Sequence, residues 1–207
     1  MILTSFPKSY CVFDFETTDL DVTKAEVVEI GAKKSIWMPE GDGGRGIRVS
    51  ETRTWLINIG RDLPEITTKI TGITTEEMKR DGRKRDDCFL EFREFSRGLN
   101  FVGHNILRYD IPVLKNPMNG FFNFSYQCQW PVDTAGLYKA LVLREPQRWY
   151  ETHEEHMRRV LEIRSTTKFN LMHACTQLGI KTDVAAHRAG GDVELADRLY
   201  RKLTEIV

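Results

Sequence analysis

Cys11-Val-Phe-Asp-Phe-Glu-Thr-Thr18 decides how the rest of this chain is read. Tyr10, Val12, Phe13 and Phe15 are apolar and β-prone, which predicts a buried central strand over Tyr10 to Phe15. Side chains alternate faces along a strand, so Asp14 and Glu16 at its end point the same way, with their carboxylates close together. An Asp-x-Glu pair on a surface strand carries little information. Here the apolar neighbours put the pair at the end of a buried one.

Outward from this strand the pattern continues. Glu26 to Trp37 contains Val27-Val28-Glu29-Ile30 and Ile36-Trp37, a second strand. Pro39 to Gly46 reads as a flexible hairpin connection, and Ile47 to Ile57 alternates through Val49 and Trp55 as a third strand. Three strands with short links predict an antiparallel meander. The period then changes, with Cys88, Phe89, Phe92 and Phe95 at helical spacing over Asp86 to Arg97. Asn100 to Gly103 reads as a short strand, and Arg108 to Lys115 as a short helix whose first turn tolerates Pro112. Gln129 to Val132 is expected as a fifth strand leading into Asp133. Phe169 to Leu178 and Val193 to Ile206 read as amphipathic helices, the first ended by Gly179. Trp149 to Arg164 is highly charged and reads as an exposed helix, either a lid or contact arm or a solvated face.

Three further acidic or basic groups join the Asp14–Glu16 pair. Asp110 closes Val102-Gly-His-Asn-Ile-Leu-Arg-Tyr-Asp110, and His187 precedes Asp192 by five residues across Gly190-Gly191. Taken singly, Asp110 and Asp192 could be helix-start caps and His187 a surface residue. Brought together on apolar elements, four carboxylates would repel one another and lose hydration. Divalent cations remove that objection, and hard oxygen ligands suit Mg²⁺ or Mn²⁺. A pair of such ions is a device for phosphodiester cleavage, and a histidine is suited to general-base work near neutral pH. Other groups compete poorly: His153 and His156 sit among solvated glutamates, His173 on an apolar helix, and Arg83-Lys84-Arg85 in a turn.

Five separated motifs in order resemble the DnaQ-like 3′→5′ exonucleases of the DEDDh subgroup: Asp14-Phe-Glu16-Thr-Thr, Glu29-Ile-Gly31, Ile70-Thr-Gly-Ile73-Thr, His104-Asn105 through Asp110, and His187-x4-Asp192. They cover about residues 10 to 203. The resemblance implies an α/β, ribonuclease H-like fold: a five-stranded mixed sheet, three antiparallel strands then two parallel, flanked by helices. It implies one domain over residues 1–207 with a charged helical insertion around 145–165. By motif position, Asp14, Glu16, Asp110 and Asp192 become ligands of two divalent cations, Mg²⁺ or Mn²⁺, and His187 the general base. Thr17 would meet the terminal nucleotide through its backbone, Leu20 and Ile73 would wedge against the last bases, and His104 and Asn105 would lie at the substrate edge. Asp133 would support the site from the fifth strand. Tyr109 stands where the family commonly has Phe, and Asp19 where it commonly has Gly.

The activity so implied is hydrolysis of terminal phosphodiesters at 3′ ends, releasing nucleoside 5′-monophosphates, with single-stranded DNA or frayed ends favoured over RNA. The rival is a non-catalytic DnaQ-like module that binds nucleic acid or docks on a polymerase; the presence of all four acids and the histidine weighs against it. The resemblance admits a homodimer or a polymerase or replication partner. A formal net charge of zero excludes a global field that draws the protein onto nucleic acid, so phosphate affinity must be local. The four cysteines are too scattered for a zinc ribbon and read as reduced thiols. With no signal-like start and no membrane-length apolar run, the expected setting is soluble and cytoplasmic.

Overall fold

The computed structural model describes residues 6–40, 46–119, 130–184 and 188–206. Strands β1 (Tyr10–Thr17), β2 (Val27–Pro39) and β3 (Gly46–Leu56) form the antiparallel meander, while β4 (Asn100–Gly103) and β5 (Val132–Asp133) run parallel to β1. The result is one five-stranded mixed sheet of order β3-β2-β1-β4-β5. The fifth strand is shorter than expected and begins later. Pro131 has no N–H to give to a ladder, so pairing starts at Val132. Gln129 and the centre of the hairpin connection, 41–45, lie outside the described residues.

The helices are α1 (Glu65–Thr71), α2 (Thr75–Asp81), α3 (Arg85–Ser96), α4 (Asp110–Lys115), α5 (Thr134–Leu143), α6 (His153–Glu162), α7 (Leu171–Gln177) and α8 (Ala189–Ile206). Alternation along β1 decides what each face of the sheet meets. Phe13 and Phe15 pack edge-on or tilted against Phe92 of α3. On the opposite face Tyr10 meets Tyr200 of α8 at a ring separation of 4.6 Å and donates its hydroxyl to Asp197 at 2.7 Å. Asp14 and Glu16 share the parity of Tyr10 and therefore project toward α8.

A buried ion network pins α8 to the sheet. Lys33 of β2 reaches Glu194 and Asp197, each at 2.6 Å. The close approach has a cost in side-chain volume: a Cβ on Gly31 would lie 2.3 Å from the Ala189 carbonyl oxygen. Gly190 and Gly191 form the first turn of α8 itself, where the sequence suggested a loop leading into a helix at Val193. On Gly190 a Cβ would lie 3.0 Å from the Thr54 methyl, so small residues here let the helix settle on β2 and β3.

Three helices were not legible as periodic segments. α1 is rich in β-branched residues, which weakens a helical reading, and it ends at Gly72 with φ 73°. α2 is held by Thr74, whose hydroxyl accepts from the Glu77 N–H at 3.0 Å. α5 is almost wholly apolar and buried, so no amphipathic stripe marks it. The charged helix α6 opens with a capping box of Thr152 and Glu155. Rather than standing free, it buries His156, Met157, Val160 and Leu161 against the body of the fold, with Met157 over Gly136 of α5. No helix among the described residues is long and apolar enough to cross a membrane.

Candidate active site

Asp14 and Glu16 leave the end of β1, and Asp192 comes from the first turn of α8. One carboxylate oxygen from each lies within 4.8 Å of the others. Asp110 begins α4 but does not cap it. Its Oδ1 accepts the Phe15 backbone N–H at 3.0 Å, which ties α4 to β1 midway between Asp14 and Glu16. Asp110 is only 3% exposed. Four acids from β1, α4 and α8 thus share one corner of the sheet.

Their electrostatics follow from crowding. Burial, then the charges of Asp110, Glu16, Asp192 and Glu29, hold Asp14 well above the ordinary carboxylate range. Burial and then Asp192 and Glu29 push Glu16 up to about 7, opposed by Arg188. Asp110 is raised to about 7 by burial, against the lowering effect of the Phe15 N–H and its own backbone N–H. Carboxylates held close together yet reluctant to ionise fit a hard divalent cation, which restores the charged form of each. Asp14, Glu16 and Asp192 could hold such an ion between them, with Asp110 beside them.

Glu29, opposite Glu16 in the β1–β2 register, is 3% exposed and organises the start of α8. Arg188 donates Nη2 to Glu29 Oε1 at 2.7 Å and Nε to Oε2 at 3.2 Å, and Nη1 to Glu77 of α2 at 3.2 Å. The Ala189 N–H donates to Glu29 Oε2 at 3.0 Å. Glu29 falls within a motif of the sequence that assigns it no role, and Arg188 has no local signature at all. An acid at a buried strand position is itself a signal, since such a charge needs a partner.

Asp133 lies behind the site, fully buried. Its Oδ1 accepts from Asn105, Ala135 and Gly136 and its Oδ2 from Leu107, at 2.9 to 3.2 Å. It caps α5 and holds the loop that leads to Asp110. Asn105 stands in the left-handed region at φ 64° within that loop. His104, expected at a substrate edge, is partly buried beside this loop. Nε2 donates to the Phe169 carbonyl at 2.9 Å and Nδ1 meets the Thr134 hydroxyl at 3.0 Å, so both ring nitrogens are used internally. Burial pulls its pKa down to about 4, which keeps the ring neutral.

A cleft of about 500 Å³ opens beside Glu16, lined by Phe15–Leu20, Tyr109 and the α1 side. Thr17 and Tyr109 face it, and Leu20 stands 84% exposed on its rim. Ile73 is not there. It is fully buried in a small cluster with Val28, Leu63 and Met78, and cannot wedge against a base. The exposed apolar residues on that wall are Ile66 and Ile70, one helical turn apart on α1. An unrecognised helix hid that pairing. His187 lies outside the described residues.

Residues 11–200 match the exonuclease family model of the RNase T type. The DNA polymerase III PolC-type proteins of Pediococcus pentosaceus and Thermotoga maritima are each 32% identical to this chain, over 53% and 65% of it. These alignments span only 8% and 9% of those polymerases. The fold is similar to that of E. coli exonuclease I solved with a dT13 oligonucleotide (TM-score 0.66, 17% identity), covering 96% of this chain and 41% of that one. It is also similar to cell-death related nuclease 4 (TM-score 0.64, 14% identity), over 96% of this chain and 64% of that one.

Proposed function

Because this chain belongs to the exonuclease family, we propose that it shortens nucleic acid from the 3′ end with two divalent cations, Mg²⁺ or Mn²⁺, releasing nucleoside 5′-monophosphates. The observation that carries this reading is the convergence of Asp14, Glu16 and Asp192 within 4.8 Å, with Glu16 lining an adjoining apolar-walled cleft. Asp14, Glu16, Asp110 and Asp192 would hold the ions. When bound, such ions supply a more acidic water and stabilise charge on the phosphate and leaving oxygen.

The remaining work falls to the chain. Phe15 presents its N–H to Asp110 and keeps that carboxylate aimed between Asp14 and Glu16. Arg188 and Glu29 fix the first turn of α8 and with it Asp192. Leu20, Ile66 and Ile70 would pack on the terminal bases and exclude water from the cleft. Thr17 and Asn105 are assigned to the edges of the terminal nucleotide, with Asp133 holding the Asn105 loop. His187 is assigned the proton of the attacking water, accepted at a ring nitrogen.

Single-stranded DNA is the favoured substrate, because apolar wedging needs unpaired bases and the exonuclease I neighbours were solved with DNA oligonucleotides. The test uses 5′-labelled single-stranded DNA, duplex DNA and RNA with Mn²⁺, Mg²⁺ or EDTA. A metal-dependent ladder that shortens from the 3′ end supports the reading and ranks the substrates. Binding without cleavage under every metal condition would instead support a non-catalytic module.

A further inference from the structure

Two helices in this chain open on the same signature, Thr74-Thr-Glu-Glu77 and Thr152-His-Glu-Glu155. In each, the threonine hydroxyl accepts the N–H of the glutamate three residues on, at 3.0 and 3.2 Å. Glu155 completes the box by accepting the Thr152 backbone N–H at 2.8 Å. Glu77 makes no such return among the described contacts. Its Oε1 instead accepts Nη1 of Arg188 at 3.2 Å, across 111 positions of the chain. A local cap bond is given up for a distant one, and such departures from local rules gather at functional sites.

The distant partner sits at the foot of the helix that carries Asp192. The Arg188 carbonyl accepts the N–H of Gly191 at 2.8 Å and of Asp192 at 3.1 Å. Gly190 and Gly191 lie between, and glycine backbone is the least restricted of all. The placement of the Asp192 carboxylate, within 4.8 Å of Asp14 and Glu16, therefore depends on how firmly Arg188 is held. Glu29 takes the Nε and Nη2 edge of the guanidinium, and Glu77 takes Nη1. A third bond from a second element stops the planar fork from pivoting on Glu29. The base of that bond is itself fixed: Ile73 and Met78 pack with Leu63 and with Val28, the neighbour of Glu29, and the Leu63 N–H donates to the Thr75 hydroxyl at 3.0 Å. Without Glu77 the buried Glu29 keeps its arginine, so the fold does not depend on this contact.

We propose that Glu77 is a positioning residue for the metal centre: by holding Arg188 it fixes the Gly190-Gly191 turn and sets Asp192 for a divalent cation. This rests on the metal-dependent reading of the acidic cluster. The action is that of a hydrogen-bond acceptor. A bare negative charge on α2 would attract a cation without any bond to Arg188, and Glu76 supplies the comparison. It is exposed in the same helical turn and makes no contact with Arg188 among the described contacts.

The test is a calorimetric Mn²⁺ titration of the full chain without substrate, paired with its melting temperature in EDTA, for wild type, Glu77→Ala, Glu77→Gln and Glu76→Ala. Glu77→Ala should raise the Mn²⁺ Kd about two- to fivefold, the scale of a partly exposed ion pair. Its metal-free melting temperature should stay within a few degrees of the wild type. Glu77→Gln keeps an acceptor oxygen for Nη1 and should recover part of the lost affinity. Glu76→Ala removes the same charge from the same turn and should bind Mn²⁺ as the wild type does. Wild-type affinity in Glu77→Ala would overturn the proposal. So would a glutamine variant no better than alanine, or a Glu76→Ala loss as large as that of Glu77→Ala, since either makes charge the cause. A large fall in metal-free melting temperature alongside the affinity would reduce Glu77 to a structural residue and also overturn it. All of these leave the metal-dependent reading standing, whereas a wild type that binds no Mn²⁺ would overturn both.

Discussion

Glu29 and Arg188 form a two-point ion pair between the second strand and the start of the last helix, at 2.7 and 3.2 Å. Glu29 is buried and Arg188 is partly exposed, so the two partners do not contribute alike. Removing the arginine leaves a buried carboxylate next to Glu16 with the Ala189 N–H as its remaining donor among the described contacts. Arg188→Ala should destabilise the fold by about 1–3 kcal/mol in a denaturant titration, a range reduced because solvent screens the exposed guanidinium. It should also weaken Mn²⁺ binding, since Asp192 rides on the same helical turn. Arg188→Lys should recover only part of either loss, because an ammonium cannot engage both oxygens through a planar fork. Full recovery by lysine would mean that charge alone matters.

The acidic centre makes stability depend on pH and on metal in a definite direction. Asp14, Glu16 and Asp110 all have folded-state pKa values raised above their ordinary ones. Their stabilising contribution is complete below the ordinary carboxylate range and is lost as pH rises through the folded values. For Glu16 that window runs from 4.5 to about 7. Thermal melts of EDTA-treated protein should therefore show this contribution draining away across the window. Mn²⁺ should raise the melting temperature strongly at pH 7.5 and little at pH 4, where protons occupy the ligands. An equal Mn²⁺ shift at both pH values would contradict the account.

Asp133 holds four backbone N–H groups and has no contact with the acidic cluster's oxygens in the hydrogen-bond network described. Asp133→Ala strands buried donors of the Asn105 loop and the α5 cap, and should cost about 2–4 kcal/mol. Urea titration measures the loss. If the variant is as stable as the wild type, Asp133 does not organise this corner.

Gly31 allows α8 to approach the sheet. In Gly31→Ala the new methyl would meet the Ala189 carbonyl, so the helix must shift or the strand must bend. Overpacking of this kind costs about 1–3 kcal/mol. Because Asp192 moves with the helix, Mn²⁺ affinity should fall by more than the melting temperature alone would suggest. A calorimetric Mn²⁺ titration of folded variant and wild type decides it; unchanged affinity would show that the helix start is not held this tightly.

Much of this architecture was legible in residue order, and the exceptions have physical causes. The β1 alternation placed Asp14 and Glu16 on one face, and Asp192 does meet them there. Asp110 was ambiguous between a cap and a ligand position, because only tertiary structure shows its oxygen leaving α4 for the Phe15 N–H. Ile73 was misplaced because a Thr-rich stretch concealed α1, and with it the exposure of Ile66 and Ile70. His104 looked available because sequence does not show that Phe169 and Thr134 occupy both its nitrogens. The reach of Arg188 to Glu29 spans 159 positions and has no local signature.

Asp14 is the carboxylate with acidic neighbours on every side, and the account stands or falls on it. The most direct measurement is single-turnover release of nucleoside 5′-monophosphate from a 3′-labelled single strand, with Mn²⁺, by wild type and Asp14→Asn. Removing one such electrostatic ligand should slow release by about 10²-fold or more while the fold and the circular dichroism spectrum persist. Equal rates from the two proteins would contradict the account.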